Sequence, residues 1–77
     1  MTDLQERLLA AHEADDKPHL VTLYTLAADA AEDIDAACFF LTHAYVFALD
    51  VGDERALSLA KRLAEHGREP PPGAHIF

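Results

Sequence analysis

The chain has 77 residues, of which 51% are hydrophobic, and it carries a formal charge of −8 with a single cysteine. A chain of this length forms one small domain that buries only about 60% of its unfolded surface. The acidic balance argues against binding to nucleic acid or to an anionic membrane surface, because both depend on cationic side chains. The single cysteine excludes an intrachain disulfide and suits a reducing compartment.

These features predict a cytoplasmic protein. The N-terminal residues lack the basic region and apolar core of a signal peptide. The most apolar run, Ala36 to Val51, is shorter than the about 20 residues that a bilayer requires, and it contains Thr42 and His43. We therefore expect neither a membrane nor a nucleic acid among the partners.

The first two predicted elements are helices over about residues 3–14 and 18–32. Thr2 and Gln5 have the spacing of a capping box for the first helix, and Asp16 is the predicted cap of the second. The second helix has an amphipathic pattern at about 100° per residue. Its predicted apolar arc consists of Leu20, Leu23, Leu26, Ala27, Ala30 and Ala31.

The last two predicted helices cover about residues 34–50 and 53–66. Asp33 or Asp35 is the expected cap of the third helix, since acidic residues are favoured at the positive end of the helix dipole. Gly52 and Asp53 end the third helix and cap the fourth. The predicted apolar face of the fourth helix consists of Ala56, Leu57, Leu59, Ala60, Leu63 and Ala64.

The remaining residues, 68–77, are predicted to be a Pro-rich, extended C-terminal tail after a single helical domain of residues 1–67. Pro70 to Pro72 prevent a helix from continuing and favour a polyproline conformation. Three alternatives remain open for Ile76 and Phe77: disorder, a strap over the core, or a peptide offered to a partner.

The third helix is apolar on nearly every side. Ala37, Ala44 and Ala48 form a smooth strip along which a neighbouring helix can pack closely. A second stripe lies almost opposite, at spacings i, i+4, i+7 and i+11, and consists of Phe39, His43, Val46 and Asp50. A helix that is apolar all round is normally buried on all sides, and four short helices can hardly cover it. We therefore predict that this stripe binds a protein partner or a second copy, with ordinary core packing as the alternative.

Sliding the chain by 37 residues aligns its two halves. The aligned pairs include Leu4 with Leu41, Leu8 with Tyr45, Ala11 with Ala48, Asp16 with Asp53, Leu20 with Leu57 and Leu26 with Leu63. Each half reads as helix, turn, capping Asp and helix. A period of this length with two helices per unit is typical of an α-solenoid.

The second unit resembles tetratricopeptide and Sel1-like repeats. The residues that carry the resemblance are Ala44-Tyr45, Gly52-Asp53, Ala56-Leu57, Ala60 and Ala64. The first unit departs from the pattern, because Asp15-Asp16 stands where Gly-Asp is expected. The resemblance implies an all-α fold of about four antiparallel helices in two stacked hairpins, with a peptide-binding groove lined by the first helix of each unit.

Catalytic or metal chemistry would have to use His43. Cys38 and His43 are five residues apart, which puts them on different sides of a helix. His43 and Asp50 share a face but lie about 10 Å apart along the axis. The sequence contains no Gly-rich phosphate loop, nucleophile elbow or metal-ligand spacing. We therefore predict a non-enzymatic scaffold or adaptor without a cofactor, and the alternative is a small metal-binding or catalytic protein that uses His43.

Overall fold

The computed structural model describes residues 3–67, which form four helices. They are α1 (Leu4–Glu13), α2 (Lys17–Ala30), α3 (Ile34–Val51) and α4 (Arg55–Glu65). The predicted all-α class is confirmed, and the described residues contain no strand. The predicted Pro-rich tail at 68–77 lies outside the described residues.

Aspartates lie at the start of each of these helices, as the N-cap in α1, α2 and α3 and one residue before the N-cap in α4, which is Glu54 rather than the predicted Asp53. Every one of them accepts a hydrogen bond from a backbone N–H of the first turn, and such caps typically contribute about 1 kcal/mol each. The four are Asp3, Asp16, Asp33 and Asp53, with N···O distances of 2.8, 3.3, 2.8 and 2.9 Å. The cap of α1 is therefore Asp3, and the predicted role of Thr2 as its cap is wrong. For α3, the structure selects Asp33 over Asp35.

The two connections within the hairpins have the same backbone geometry. The N–H of Asp16 donates to the carbonyl of Ala11 at 3.0 Å, and the N–H of Asp53 donates to the carbonyl of Ala48 at 2.8 Å. The two bonds are related by the 37-residue offset seen in the sequence, and both close a Schellman-type turn at a helix C-terminus. The repeat in the sequence therefore corresponds to a repeated turn in the structure.

The helices pack in chain order, α1 on α2, α2 on α3, and α3 on α4. Two clusters of buried side chains result. The smaller contains Ala11, Leu20 and Leu23, and the larger contains Val21, Ala28, Cys38, Leu41, Ala44, Tyr45, Ala48, Ala56, Leu59 and Leu63. The prediction that the alanine strip of α3 faces the core is confirmed at Ala44 and Ala48, which are fully buried.

The predicted apolar faces of α2 and α4 are wrong in part, since Ala30 and Ala64 are exposed, as is one leucine of each helix. In α2, Leu26 is 44% exposed, whereas Val21 and Ala28 are buried. The reason is that α2 is covered on two sides, by α1 and by α3, so its buried arc is centred differently from the arc of its leucines. In α4, Leu57 is 80% exposed although it aligns with the buried Leu20.

The exposure of Leu57 follows from the way α4 begins. Its first turn has 3₁₀-type bonds, with the N–H of Leu57 donating to the carbonyl of Glu54 at 3.2 Å. In α2 the corresponding bond, from Leu20 to Asp16, has α-helical spacing. The tighter turn rotates α4 about its axis. The residues of α4 that face α3 are therefore Ala56, Leu59 and Leu63.

Two arginines of α4 bond to the outer side of α2. The guanidinium of Arg55 donates to Thr22 Oγ1 at 2.7 Å and to the carbonyl of Pro18 at 3.0 Å. One turn from the other end of α4, Arg62 pairs with Asp29 at 2.6 Å. Because both arginines meet α2 in the same order along the chain, α2 and α4 run parallel in one layer. The first helices of the hairpins, α1 and α3, then form the second layer.

Arg55 is also held at its own end of the helix. Its guanidinium donates to both carboxylate oxygens of Asp53, at 2.7 to 3.1 Å. These hydrogen bonds hold the pKa of the Asp53 carboxyl below its usual value. One side chain therefore links the turn before α4 to the first turn of α2.

By length and composition alone, α3 could cross a membrane, since it has 18 residues with few charges. The core helix of a small domain meets the same criteria. Here 28% of this stretch is buried inside the domain, including Leu41, Ala44 and Ala48. The absence of a membrane partner stays a prediction.

We predict that Asp15→Gly stabilises the domain by about 0.5–1 kcal/mol. Asp15 has φ 52°, a left-handed conformation that costs most side chains free energy and glycine little. The corresponding residue of the second hairpin is Gly52, with φ 68°. Urea unfolding followed by circular dichroism measures the difference.

The matched control is Gly52→Ala, which should lower the free energy of unfolding by about 1 kcal/mol. A Cβ at Gly52 meets no atom within 4 Å, so the cost would be conformational alone. A loss of stability in Asp15→Gly would contradict the prediction.

Candidate functional site

Six aromatic side chains from three helices form one connected surface, which we call the aromatic face. Its members are His12 of α1, Tyr24 of α2, and Phe39, Phe40, His43 and Phe47 of α3. Phe39 is 58% exposed, His12 is exposed, and the other four are half-buried. The rings are thus anchored by packing on one side and open to solvent on the other.

Tyr24 lies at the centre of the aromatic face. Its ring is 5.1 Å from the ring of His43 and 5.9 Å from that of Phe47, and both pairs are stacked. It also meets His12 edge-on at 5.9 Å and Phe40 at 6.2 Å. On α2, Tyr24 stands between the side that packs on α1 and the side that packs on α3. One ring therefore contacts both helices of the other layer.

The polar atoms of the aromatic face are held by two hydrogen bonds. His12 Nε2 lies 2.9 Å from the hydroxyl of Tyr24. His43 Nδ1 lies 2.9 Å from the carbonyl oxygen of Phe39, one turn earlier in α3. Since a carbonyl oxygen only accepts, Nδ1 of His43 carries a proton, and Nε2 of the neutral ring is an acceptor. Both histidines are thereby fixed in orientation.

The structure separates the four predicted partner-binding residues. Phe39 and His43 lie in the aromatic face, with ring centroids 4.4 Å apart. Val46 is 44% exposed on α3, one turn beyond His43. Asp50 pairs with Lys17 at the start of α2, and a hydrogen bond from the ammonium group to this carboxylate raises the pKa of Lys17.

The other four members of the aromatic face were absent from the predicted site. They are His12, Tyr24, Phe40 and Phe47, and three of them are only half-buried. Tyr24 gave a usable signal, because it follows Leu20 by one helical turn and so points toward the core side of α2. What the sequence could not show is that these rings meet across α1, α2 and α3.

Carboxylates surround both ends of the aromatic face. At one end, the α1–α2 connection meets the end of α3, as the pair of Lys17 with Asp50 shows. The α2–α3 connection forms the opposite end. The exposed carboxylates at the two ends are Asp15, Asp16 and Asp50, and Glu32, Asp33 and Asp35. These side chains give both ends a net negative charge, which Lys17 reduces at the first end.

The histidines have no metal-binding neighbours in the described part of the chain. Within residues 3–67, no group of three or more His, Cys, Asp or Glu side chains could hold a metal ion. Cys38 is 3% exposed in the larger core cluster, on a different side of α3 from His43. A catalytic or metal role for His43 gains no supporting group from this geometry.

We predict that Tyr24→Ala lowers the free energy of unfolding by about 2 kcal/mol, somewhat less than a fully buried aromatic residue would. The ring packs against both core clusters, so its loss leaves a gap between them. Tyr24→Phe keeps the ring and removes only the bond to His12, and should cost less than about 1 kcal/mol. Thermal or urea unfolding of both variants measures the two losses of stability. Equal losses in Tyr24→Ala and Tyr24→Phe would contradict the prediction.

Comparison with known proteins gives no relative for this chain. No protein-family model, no curated protein and no solved structure matches it. The resemblance to tetratricopeptide and Sel1-like repeats stays a prediction, and the function has to be argued from the aromatic face and its surroundings.

Proposed function

We propose that the chain is a small non-enzymatic scaffold or adaptor module that binds another protein, or a second copy of itself, through the aromatic face. The observation that carries the proposal is the continuous contact of six rings across three helices, with Phe39 58% exposed at its edge. Val46, at 44% exposed, extends this surface along α3.

Aromatic side chains at such a surface are suited to binding. They present a large contact area with few rotatable bonds, and they are enriched among the residues that dominate binding energy. Here Tyr24 and His43 hold each other in a stacked arrangement. Since these rings are already ordered, the side chains of this surface would lose little conformational entropy when a partner docks.

The layered arrangement supports the same interpretation. The resemblance implies that the first helix of each unit lines the binding surface. In this chain α1 and α3 form one layer, and all members of the aromatic face except Tyr24 belong to them. Two units are also fewer than the about three that such stacks need to stand alone, which favours a partner.

A cytoplasmic location belongs to the same proposal. Its support is Cys38, a reduced and buried thiol in an apolar core, and the acidic balance of the chain.

Site-specific photo-crosslinking in the native cell tests the proposal. The photoreactive residue p-benzoylphenylalanine replaces Phe39 in one variant and Leu57 in the other. Both positions are exposed, at 58% and 80%, but Leu57 belongs to α4, which contributes nothing to the aromatic face. We expect protein adducts from position 39 and few from position 57.

Mass spectrometry of the adducts distinguishes a foreign protein from a second copy. Light scattering of the purified chain gives the oligomeric state independently. Adducts of equal abundance at both positions, or none at position 39, would contradict the proposal.

A further inference from the structure

We infer that the segment bound by the aromatic face is a peptide with an apolar centre and cationic residues on both flanks. The inference rests on the proposed function and adds the chemistry of the partner. Its basis is the combination of a ring surface in the middle with carboxylates at both of its ends.

The two ends of the aromatic face are acidic. One end has Asp15, Asp16 and Asp50, all exposed, and the nearby cation is Lys17, which is paired with Asp50. The opposite end has three exposed carboxylates, which are Glu32, Asp33 and Asp35. Two of them, Asp16 and Asp33, also cap helices. A basic residue that approaches either end is therefore attracted.

The aromatic rings themselves also attract cations. The face of an aromatic ring carries partial negative charge and attracts Lys or Arg within about 6 Å of its centroid. Phe39 offers an open ring of the aromatic face, at 58% exposed. The ring quadrupoles and the carboxylates therefore favour the same sign of charge in the partner.

The spacing sets the length of the peptide. Asp35 and Asp50 lie at the two ends of α3, which are about 22 Å apart at 1.5 Å per residue. An extended peptide covers that distance with about seven residues, at about 3.3 Å each. The apolar centre then lies over Phe39, His43 and Val46, and its basic flanks lie over the carboxylates.

Two other occupants fit the charges less well. A second copy brings the same net charge of −8, so its acidic ends would repel those of the first. The chain's own residues 68–77 include Arg68 and Glu69, whose charges cancel. A cationic foreign segment is the occupant that the observations favour.

The test uses the full chain and three synthetic peptides of twelve residues. All have the same Leu and Phe centre, and the flanks are Lys/Arg, Gln or Glu. Isothermal titration calorimetry gives each Kd at 20 mM and at 500 mM salt. We expect the cationic peptide to bind about tenfold more tightly than the Gln peptide at low salt, because several weak ion pairs together reach about 1.4 kcal/mol. Salt should remove most of this advantage.

Variants locate the effect. Phe39→Ala should weaken all binding, whereas Leu57→Ala should not. The double variant Asp15→Asn with Glu32→Gln removes one charge at each end without removing a helix cap, and should weaken the cationic peptide alone. Its matched control is Glu65→Gln on α4, where no change is expected.

Equal binding of the Gln and cationic peptides would overturn the inference and leave the proposed function intact. Crosslinks from position 39 to a second copy, or to residues 68–77 of the same chain, would overturn it in favour of those occupants. Absence of both peptide binding and crosslinks would count against the inference and the proposed function together.

Discussion

The packing of α2 between α1 and α3 is the constraint on which the rest of the structure depends. A chain of this size buries little surface, and its buried side chains divide into two clusters. Tyr24 and Phe47 pack against both clusters and so join them. The same two rings open onto the solvent side, where they form the middle of the aromatic face. Stability and the candidate binding surface are therefore built from the same side chains.

The acidic residues have two roles: some of them bond to the backbone at helix starts, and together they make the two ends of the helix stack negative. Asp3, Asp16, Asp33 and Asp53 satisfy backbone donors at the helix starts. Because helix starts and ends gather at the two ends of a stack of antiparallel helices, the caps also concentrate negative charge there. The middle, occupied by the helix bodies, is left to apolar and aromatic groups. The charge pattern around the aromatic face is thus a by-product of how the helices begin.

The order and the limits of the helices could be predicted, because Asp caps, left-handed turns and apolar periodicity are local signals. The 37-residue offset predicted the matching turns for the same reason. The rotation of α4 could not be foreseen, since it depends on how tightly the turn after Asp53 is wound. For the candidate site, Phe39 and His43 were found because they stand out on a single helix. Tyr24 and His12 were missed because their significance is tertiary: it lies in contacts between helices whose relative placement no local pattern specifies.

Within residues 3–67, the helix backbones approach closely only between neighbours in the chain, and this gives the molecule an uneven resistance to opening. Of the buried residues, α1 supplies Ala11 alone, and α1 packs on α2 and on no further helix backbone. Local unfolding begins where few apolar contacts have to be broken, so α1 opens at a lower free energy than α3. Each opening takes His12 away from Tyr24 and uncovers Leu20 and Leu23 beside it. The aromatic face thus has a stable edge at Phe39 and a labile edge at His12, and its apolar area grows transiently whenever the labile edge opens.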